Sequence, residues 1–432
     1  MIMEIEPGEP MRTKQFNTRM PNAAMHGSGE QLFDYIAKAL ADFLVEKDVA
    51  HDNLPVGFTF SYPCNQTSLK SATLLRWTKG VTAKGCVGKD VVKMLEDAIA
   101  RDGPASKCLE FFGLLTLAAV NDRKGWERRG SGAFVKAQFP PPLLIAAHIE
   151  ELLNLLQRIE VEVVALINDT VGTMVAAAYE AKECDLGVII GTGTNASYME
   201  DAKAIVYGLA NASEPYNHKQ MIIDTEWGGF GDNGEAEYIF TQYDKIIDER
   251  SDHPGVNSLD KLVAGMCMGE VVRLVLCKLC QHKVLFNGNE SHVLSTIGSF
   301  PTKYISEILH DDCGSYSNTR QIMEELAVDD YTFSDMLLFR EVCLVVSRRS
   351  ANLSAAAIAC VLNRVRRPKM IVAIDGSTYK YHPFFDHWVT DKVKELIDPG
   401  LEVRISRTSY FCGFRAKITS IRNMNIHRTG VS

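Results

Sequence analysis

The segment VEVVALINDTVGTM (161–174) constrains the fold of this chain more than any other stretch of its sequence. Its β-branched residues favour a buried strand, which gives way to Asn168 and Asp169 and then to a glycine- and threonine-containing turn. Two other segments also place a glycine-containing turn after an apolar strand. Residues 186–201 predict a strand, a glycine-rich turn and a second strand, and residues 369–396 predict a strand, an Asp-Gly-Ser turn and a helix. Strands that end in glycine turns and alternate with helices predict an α/β fold with ligand loops at the strand tips.

The segments around these loops predict further helices and strands. Residues 28–44 carry one apolar stripe, and Ser28 with Gln31 forms the pattern of a capping box at the helix start. Helices are also predicted at 172–182 and 260–280, and strands at 54–63 and 74–80.

Chain length and charge narrow the class of protein. A chain of 432 residues is longer than a single hydrophobic core usually accommodates, so we expect two lobes. The net charge of −8 argues against a nucleic-acid-binding protein, which usually carries a basic face. The sequence contains no apolar run long enough for a membrane span, and its acidic start lacks the features of a signal peptide. We therefore expect a cytoplasmic protein that has no transmembrane segment and binds no nucleic acid.

The cysteines are expected to be reduced thiols. Eleven cysteines occur in a chain without a signal peptide, which is typical of a cytosolic protein. One CxxC pair, Cys277 and Cys280, precedes His282 and has the spacing of half a zinc site. Because a second ligand pair is missing and the segment is apolar, buried core thiols are the favoured interpretation, and we predict no metal ligands.

Residues 104–158 interrupt the pattern. An apolar run, a basic cluster and three consecutive prolines, Pro140 to Pro142, follow one another without a period. Within the segment, 143–158 has the pattern of an amphipathic helix. A regulatory or partner-binding insertion is one interpretation. A segment that adds nothing essential to the core is the other, and we favour it.

Asp169 is the first candidate for chemistry. A carboxylate at a strand tip beside glycine and threonine can accept a proton from a substrate hydroxyl. The structural alternative is a capping residue for the helix that follows. The loops at 191–195 and 375–377 favour the chemical role, because glycines let a backbone approach phosphate oxygens and threonines add hydroxyls and amides.

Five ordered motifs resemble those of the eukaryotic hexokinases. The resemblance covers about residues 20–103 and 159–405, and its motifs are FTFSYPCNQTSLKSATLLRWTKG (58–80), INDTVGTM (167–174), GTGTNASYMED (191–201), DTEWGGFGDNGE (224–235) and DGSTYKYHPFF (375–385). The chain is identified on these motifs as a member of that family. Membership implies a two-lobed, actin-like ATPase (ribonuclease H-like) α/β fold that closes over a hexose and ATP with Mg²⁺.

The resemblance assigns roles to the sugar side of the site. It implies that Asp169 takes the proton from the sugar 6-hydroxyl as that oxygen attacks the γ-phosphate, with Lys79 as a second catalytic residue. The predicted hexose-binding shell consists of Ser61, Thr78, Lys79, Asn168, Asp169, Asn195, Glu226 and Asp260. A ring of hydroxyls needs such polar partners, because a wrong sugar leaves buried groups unpaired.

The resemblance also assigns the nucleotide side. Thr192, Gly193 and Thr194 resemble the second phosphate loop, and Gly376 with Ser377 resembles part of the adenosine site. The segment 300–308 resembles a segment near the nucleotide, with Thr302 as its predicted contact. The implied reaction is direct phosphoryl transfer from ATP to a hexose, with glucose as the expected substrate, at the first step of glycolysis.

Sharp departures accompany the resemblance. The family's Asp-Leu-Gly-Gly-Thr-Asn loop, which grips the ATP phosphates, has no counterpart, so we expect the opening strands of a truncated small lobe to be absent. Residues 104–158 intervene where the family passes almost directly from 97–103 to the strand before Asp169. After 401–405, an unrelated tail from about residue 406 replaces the family's Ser-Gly-Lys-Gly-Ala-Ala segment at the adenosine site.

A fourth departure lies in the sugar shell. The family's Gln and Glu before a large-lobe helix are Asn257 and Asp260 here. Each side chain is one methylene group shorter, so the resemblance does not carry their sugar contacts over intact.

These departures leave more than one function open. The discontinuities favour an alternative or incomplete transcript product over gradual divergence. The first hypothesis is an ATP-dependent hexokinase; the alternative is a catalytically impaired hexokinase-like sugar-binding protein or incomplete isoform, and a fragment without a stable fold is a third. We expect a small-lobe domain at 1–184, with its insertion at 104–158, and a large-lobe domain at 186–432.

Overall fold

A computed structural model describes residues 2–4, 12–14, 16–50, 52, 54–102, 161–181, 183–205, 219–312, 314–407 and 426–428. The strands are β1 Ile2–Glu4, β2 Arg12–Lys14, β3 Pro55–Thr59, β4 Cys64–Ser68, β5 Ser71–Leu74, β6 Glu162–Ile167, β7 Leu186–Ile190, β8 Thr194–Asp201, β9 Gln220–Asp224, β10 Lys369–Asp375, β11 Glu402–Arg407 and β12 Ile426–Arg428.

Helices separate most of these strands. The α-helices are α1 Asn22–Met25, α2 Gly29–Glu46, α3 Val91–Asp102, α4 Asp169–Ala181, α5 Gln242–Arg250, α6 Ser258–Val263, α7 Gly265–Gln281, α8 His292–Ser295, α9 Lys303–Leu309, α10 Ser317–Glu325, α11 Phe333–Val365, α12 Ser377–Tyr381 and α13 Phe385–Leu396. Short 3₁₀ helices lie at Ala202–Ala204, Trp227–Gly229, Glu237–Ile239 and Phe286–Gly288.

The small lobe packs α2 and α3 against short strands. In its described part, β3 pairs in parallel with β6, and β4 with β5 forms an antiparallel hairpin. Phe33, Leu74 and Leu95 are at most 2% exposed in one apolar cluster with Leu166 of β6. Each such burial contributes about 1.5–3 kcal/mol, so this cluster supplies much of the lobe's stability.

The large lobe is built on a mixed sheet. Its described strands run in the order β11-β10-β7-β8-β9-β12. β8 is antiparallel to both of its neighbours, β7 and β9, and the remaining neighbouring pairs are parallel. The 33-residue helix α11 joins two apolar clusters. Phe339 and Cys343 in its first half lie in a helical core, whereas Ala351 and Ala355 in its second half pack on the sheet.

Several predicted elements are confirmed. The helix predicted at 28–44 is α2, and its capping box is present: Gln31 N–H donates to the Ser28 hydroxyl and Ser28 N–H donates to Gln31 Oε1. The strand predicted before Asp169 is β6, and the strand, turn and strand predicted in 186–201 are β7 and β8. Together these elements support the predicted two-lobed α/β fold.

The predicted single helix at 260–280 is wrong, since the structure has α6 and α7 with an extended Ala264 between them (φ −76°, ψ 153°). The break has a cause in the neighbouring loop. Gly265 N–H donates to the Gly191 carbonyl at 2.8 Å and Met266 N–H donates to the Thr192 carbonyl at 3.2 Å. These amides therefore satisfy the glycine loop instead of continuing the preceding helix.

Two other predictions need correction. The predicted strand at 74–80 ends at Leu74, and the chain then turns, with Lys79 in a left-handed conformation at φ 58°. The predicted helix after the Asp-Gly-Ser turn is two helices, because His382 precedes a proline and is extended. The insertion at 104–158 and almost all of the tail after residue 407 lie outside the described residues.

Candidate active site

Asp169 lies at the tip of β6 as the first residue of α4. Its carboxylate is buried, with Oδ2 accepting a hydrogen bond from the Ser61 hydroxyl at 2.7 Å and Oδ1 accepting one from Thr170 N–H at 2.9 Å. The Asn168 side chain also accepts from Thr170, from its N–H at 2.9 Å and its hydroxyl at 2.7 Å. Because Asn168 serves as the helix cap, the capping alternative does not require Asp169.

Lys79 brings a positive charge to the same corner. Its ammonium donates to the Ser61 carbonyl at 2.9 Å and lies 5.9 Å from the centre of the Tyr62 ring. Burial raises the pKa of Tyr62 to about 12, so that phenol stays neutral. Ser61 thus contacts Lys79 through its carbonyl and Asp169 through its hydroxyl.

Asn168 and Asn195 converge on Glu226. The Asn168 amide donates to Glu226 Oε1 at 3.5 Å, and the Asn195 amide donates to the same oxygen at 3.4 Å. Asn195 also donates to Asp224 Oδ1 at 2.8 Å, which fixes its orientation. Glu226 itself adopts a left-handed conformation with φ 47°, which turns the chain after β9. Three of the predicted sugar-binding residues therefore form one hydrogen-bonded group.

Asp260 is buried on α6 between the two lobes. Its Oδ1 accepts from Thr194 N–H at 2.6 Å, and its Oδ2 accepts from the Asn257 amide at 3.2 Å. Burial raises the pKa of the Asp260 carboxyl and the charge of Asp169 adds to the rise, whereas Lys79 and both hydrogen-bond donors oppose it. Asp260 thus contacts the predicted phosphate loop directly.

A cavity of about 170 Å³ opens beside these groups. Its walls include Thr78, Lys79, Asn257 and Asp260. The Thr78 side chain is only 2% exposed, and its hydroxyl has no hydrogen-bond partner among the described residues. An unsatisfied buried hydroxyl costs about 1–3 kcal/mol, so a polar ligand in this cavity would remove a penalty that the protein carries alone.

The predicted nucleotide loops meet at the ends of β7 and β10. A Cβ atom added at Gly191 would lie 3.5 Å from Gly376 Cα and 3.5 Å from Ser377 N, so the two loops touch. The Thr378 hydroxyl donates to the Gly191 carbonyl at 3.2 Å, and this bond joins α12 to the loop 191–195. Thr192 and Ser377 are exposed at this junction, where a phosphate group could reach them.

Two residues predicted to contact the nucleotide, Thr194 and Thr302, have hydroxyls that already form hydrogen bonds within the protein. The Thr194 hydroxyl donates to the Ile189 carbonyl at 3.0 Å and accepts from the Trp227 indole at 3.1 Å. The Thr302 hydroxyl donates to the Gly265 carbonyl and accepts from Gly269 N–H. Their roles at the nucleotide stay predictions, and any contact through these hydroxyls competes with existing bonds.

The sequence interpretation missed two carboxylates. Asp224 ends β9 and accepts a hydrogen bond from Asn195. Asp375 ends β10 at the start of the loop 375–377. Burial raises the pKa of Asp375, and the charge of Asp169 raises it further, against Gly376 N–H and Lys380. Both residues carry the signal that identified Asp169, a carboxylate at the end of an apolar strand.

Cys277 and Cys280 are buried thiols, as the favoured interpretation predicted. Burial raises the pKa of Cys277 to about 12 and of Cys280 to about 11. The described ranges contain no cluster of three or more His, Cys, Asp or Glu side chains that could hold a metal ion.

None of the helices in the described ranges combines the length and apolar character needed to cross a bilayer.

The fold and site define a two-lobed α/β protein of the actin-like ATPase class, with a polar cleft and glycine loops at the strand tips. Family models described as hexokinase match residues 1–179 and 185–411. The chain belongs to the hexokinase family.

Two relatives and one solved structure support this family assignment. A hexokinase of Brugia malayi is 60% identical over 410 residues, covering 95% of this chain and 62% of that protein. Human hexokinase-2 is 35% identical over 383 residues, covering 87% of this chain and 35% of its own length. The chain therefore spans less than two thirds of these relatives. A structure of Schistosoma mansoni hexokinase complexed with glucose superposes with a TM-score of 0.74 at 32% identity, covering 94% of this chain and 78% of that one.

Proposed function

We propose that this chain transfers the γ-phosphoryl group of ATP to the 6-hydroxyl of a hexose, with glucose as the first candidate. One observation carries the proposal: the buried Asp169 carboxylate accepts a hydroxyl hydrogen from Ser61 at 2.7 Å. The site therefore already presents an oxygen suited to take the proton of a substrate hydroxyl. The names of the relatives, and the glucose bound by the Schistosoma protein, support the choice of substrate.

The sugar side of the reaction follows from the polar groups of the cleft. Asp169 takes the proton of the 6-hydroxyl as that oxygen bonds to the γ-phosphorus, and the bond from phosphorus to the bridging oxygen breaks with its electron pair leaving on ADP. Lys79 places a positive charge beside the developing negative charge. Ser61, Thr78, Asn168, Asn195, Glu226 and Asp260 hold the remaining hydroxyls in this proposal. Correct positioning of the two reactants supplies much of the rate.

The nucleotide side rests on the touching loops. Thr192, Gly193 and Thr194 bind phosphate oxygens in this proposal, Gly376 with Ser377 lies at the adenosine, and Thr302 lies nearby. Oxygen donors are what Mg²⁺ prefers, and the Asp375 carboxylate at the end of β10 would help to hold an ion that arrives with ATP. The ion, when bound, would neutralise phosphate charge, while the protein's own residues orient the phosphates.

Domain limits and location complete the proposal. We divide the chain into a small-lobe domain at 1–184 and a large-lobe domain at 186–432. The cysteines in the described part of the chain are all free thiols, which supports a cytoplasmic setting.

The position of transfer gives the sharpest test. The chain is incubated with ATP, Mg²⁺ and either glucose or 6-deoxyglucose, and the products are followed by phosphorus NMR. Glucose should yield a 6-phosphate, whereas 6-deoxyglucose should bind and remain unphosphorylated because it lacks the attacking oxygen. Binding of both sugars without any phosphoryl transfer would refute the enzyme and leave a sugar-binding protein.

A further inference from the structure

Two hydrogen bonds join the large lobe to the small lobe beside the cleft. His253 Nε2 lies 3.4 Å from the Val81 carbonyl, and the Arg76 guanidinium donates to Asn257 Oδ1 at 3.4 Å. A carbonyl oxygen can only accept, so the contact of His253 requires a hydrogen on Nε2. Arg76 and Val81 flank the small-lobe turn that carries Lys79. Their partners both lie in the large-lobe loop 251–257, so this one loop contacts both sides of the turn.

The backbone of this turn depends on its surroundings. Val81 N–H donates to the Thr78 carbonyl at 3.3 Å, which closes the turn. The central residues, Lys79 and Gly80, both have positive φ, at 58° and 75°, as in a type I′ turn. Glycine adopts this backbone freely, whereas a lysine in it is strained and is retained only where neighbouring contacts hold it. The contact from His253 supports the turn from the opposite lobe.

His253 is itself fixed to the large lobe. Its carbonyl accepts from the Lys261 ammonium at 2.6 Å, and that ammonium also forms an ion pair with Asp248 of α5. Gly255 N–H donates to the same carboxylate at 3.0 Å. The Lys261 side chain is only 7% exposed, so these bonds are shielded from solvent. The loop is therefore held to both α5 and α6, and it presents the imidazole to the turn from a fixed position.

The two bonds between the lobes are long. Both measure 3.4 Å, beyond the range of about 2.7–3.2 Å for a well-formed N–H···O bond. By contrast, the Trp77 indole donates to the Ala83 carbonyl at 2.7 Å within the small lobe, next to the same turn. A small further approach of the lobes would therefore strengthen the bonds between them and leave the internal bond unchanged.

We propose that His253 is a positioning residue that joins the lobes when sugar is bound and holds the turn 78–81 so that Thr78 and Lys79 face the hexose. This inference rests on the proposed function and deepens it, since it assigns a large-lobe residue to the placement of two small-lobe sugar contacts. His253 does not touch the sugar; it acts through the Val81 carbonyl. Because its bond is formed best in the closed cleft, it favours the closed state, and a ligand that binds that state gains affinity from it.

Three variants test this role in the full chain. His253→Phe keeps an aromatic ring of similar size and removes the hydrogen-bond donor. His253→Gln should restore the contact, because its side-chain amide can place an N–H near the position of Nε2. His387→Phe is the matched control, since that histidine of α13 is 76% accessible. If His253→Phe does not unfold cooperatively, His253→Ala replaces it, because it also removes the donor.

Three quantities are measured for each variant. Calorimetry gives the glucose dissociation constant, urea unfolding gives the free energy of unfolding, and mass spectrometry follows hydrogen exchange of the amides at 78–82 with and without glucose.

His253→Phe should raise the glucose dissociation constant by about fivefold, the equivalent of one neutral hydrogen bond, and leave the free energy of unfolding nearly unchanged. Glucose should slow exchange at 78–82 in the unsubstituted chain and slow it less in this variant, because the turn is no longer held from the large lobe. His253→Gln should recover glucose affinity to within about twofold, and His387→Phe should match the unsubstituted chain.

Unchanged glucose affinity and unchanged exchange at 78–82 in His253→Phe would overturn the inference. A loss of stability with intact glucose binding would overturn it too, since His253 would then be a structural residue of its own lobe. An unsubstituted chain that binds no glucose would have the same consequence. Failure of the proposed function has a different signature: glucose binds and protects the turn, His253→Phe weakens both effects, and no sugar phosphate forms.

Discussion

The hydroxyl of Ser61 donates a hydrogen bond to Oδ2 of Asp169 at 2.7 Å, joining a small-lobe loop to the first residue of α4. The bond shows that the carboxylate is oriented to accept a hydroxyl hydrogen inside the cleft. Its donor is anchored in turn, because the Ser61 carbonyl accepts from the Lys79 ammonium at 2.9 Å. The base is therefore preorganised before any substrate arrives.

Ser61→Ala should lower kcat by about tenfold, because Asp169 loses the bond that orients it and a hydrogen bond to a charged group is worth at least about 1.5 kcal/mol. Steady-state kinetics with glucose and ATP measures the change. Ser61→Thr should restore much of the rate, since it returns a hydroxyl. Ser347→Ala is the control, because that buried serine donates to the Cys343 carbonyl at 2.6 Å, far from the cleft. A kcat that survives Ser61→Ala would contradict the orienting role.

Thr78→Val should stabilise the protein and weaken glucose binding at once. The substitution removes a buried hydroxyl that has no partner in the described part of the chain, so the free energy of unfolding should rise by about 1–3 kcal/mol. Loss of the sugar contact should raise the dissociation constant for glucose by about tenfold. Denaturant unfolding and calorimetry measure the two effects.

Thr319→Val is the matched control for Thr78. Thr319 is also buried, but its hydroxyl donates to Asp311 at 2.7 Å. The control should therefore destabilise the protein by about 1–3 kcal/mol and leave glucose affinity unchanged. Destabilisation by Thr78→Val, with glucose binding intact, would show that the cavity does not receive the sugar.

Gly376→Ala should impair nucleotide binding. Gly376 has φ 119°, and an added Cβ would contact the Ile190 carbonyl and lie 2.9 Å from Gly191 N, so both loops must shift. We expect the KM for ATP to rise at least about tenfold, with glucose affinity little changed. Gly400→Ala is the control, because Gly400 has φ 91° with nothing within 4 Å of the added atom. Equal effects of the two substitutions would mean that backbone strain alone, and not the loop contact, is responsible.

His382 should make the protein acid-sensitive. Its Nδ1 accepts from Phe384 N–H at 3.2 Å, and burial lowers its pKa from 6.5 to about 4, with His310 lowering it further and Asp386 opposing. The unfolded chain binds the proton below about pH 6.5 and the folded chain does not, so stability is lost as pH falls from 6.5 towards 4. Between pH 7.5 and 5 the loss from this group is about 2 kcal/mol.

His382→Asn keeps an acceptor near the Nδ1 position and removes the titration. Urea unfolding at pH 7.5, 6 and 5 should show a smaller loss of stability in this variant than in the unsubstituted chain. His387→Asn, at an exposed histidine whose side chain is 76% accessible, should retain the original pH dependence. Parallel curves for His382→Asn and the unsubstituted chain would contradict the assignment.

Local sequence patterns were sufficient to predict several elements, including the strand that ends at Asp169. The β-branched run of β6, the glycine loop after β7 and the capping box of Ser28 and Gln31 each depend on neighbours in the chain, and the structure contains all three. The break at Ala264 could not be predicted in this way. Its cause is a pair of hydrogen bonds to the loop 191–195, about seventy residues earlier in the sequence.

The site shows the same division between local and distant causes. Residue types and motifs were sufficient to propose Asp169, Asn168 and Glu226, which the structure brings together. They could not reveal that the Thr302 hydroxyl bonds α7, or that Asp260 bonds the Thr194 amide. These side-chain partners are set by tertiary packing, which no periodicity in the sequence records.

The most direct test of the central claim is a coupled assay of glucose 6-phosphate formation by the purified chain, with Asp169→Asn measured beside it. We predict turnover by the unsubstituted chain and a kcat lower by a factor of about 10² to 10⁴ in the variant, which cannot accept the proton. Glucose should still raise the melting temperature of the variant, because the remaining sugar contacts are intact. Equal rates in both proteins, or no turnover by the unsubstituted chain, would contradict the account.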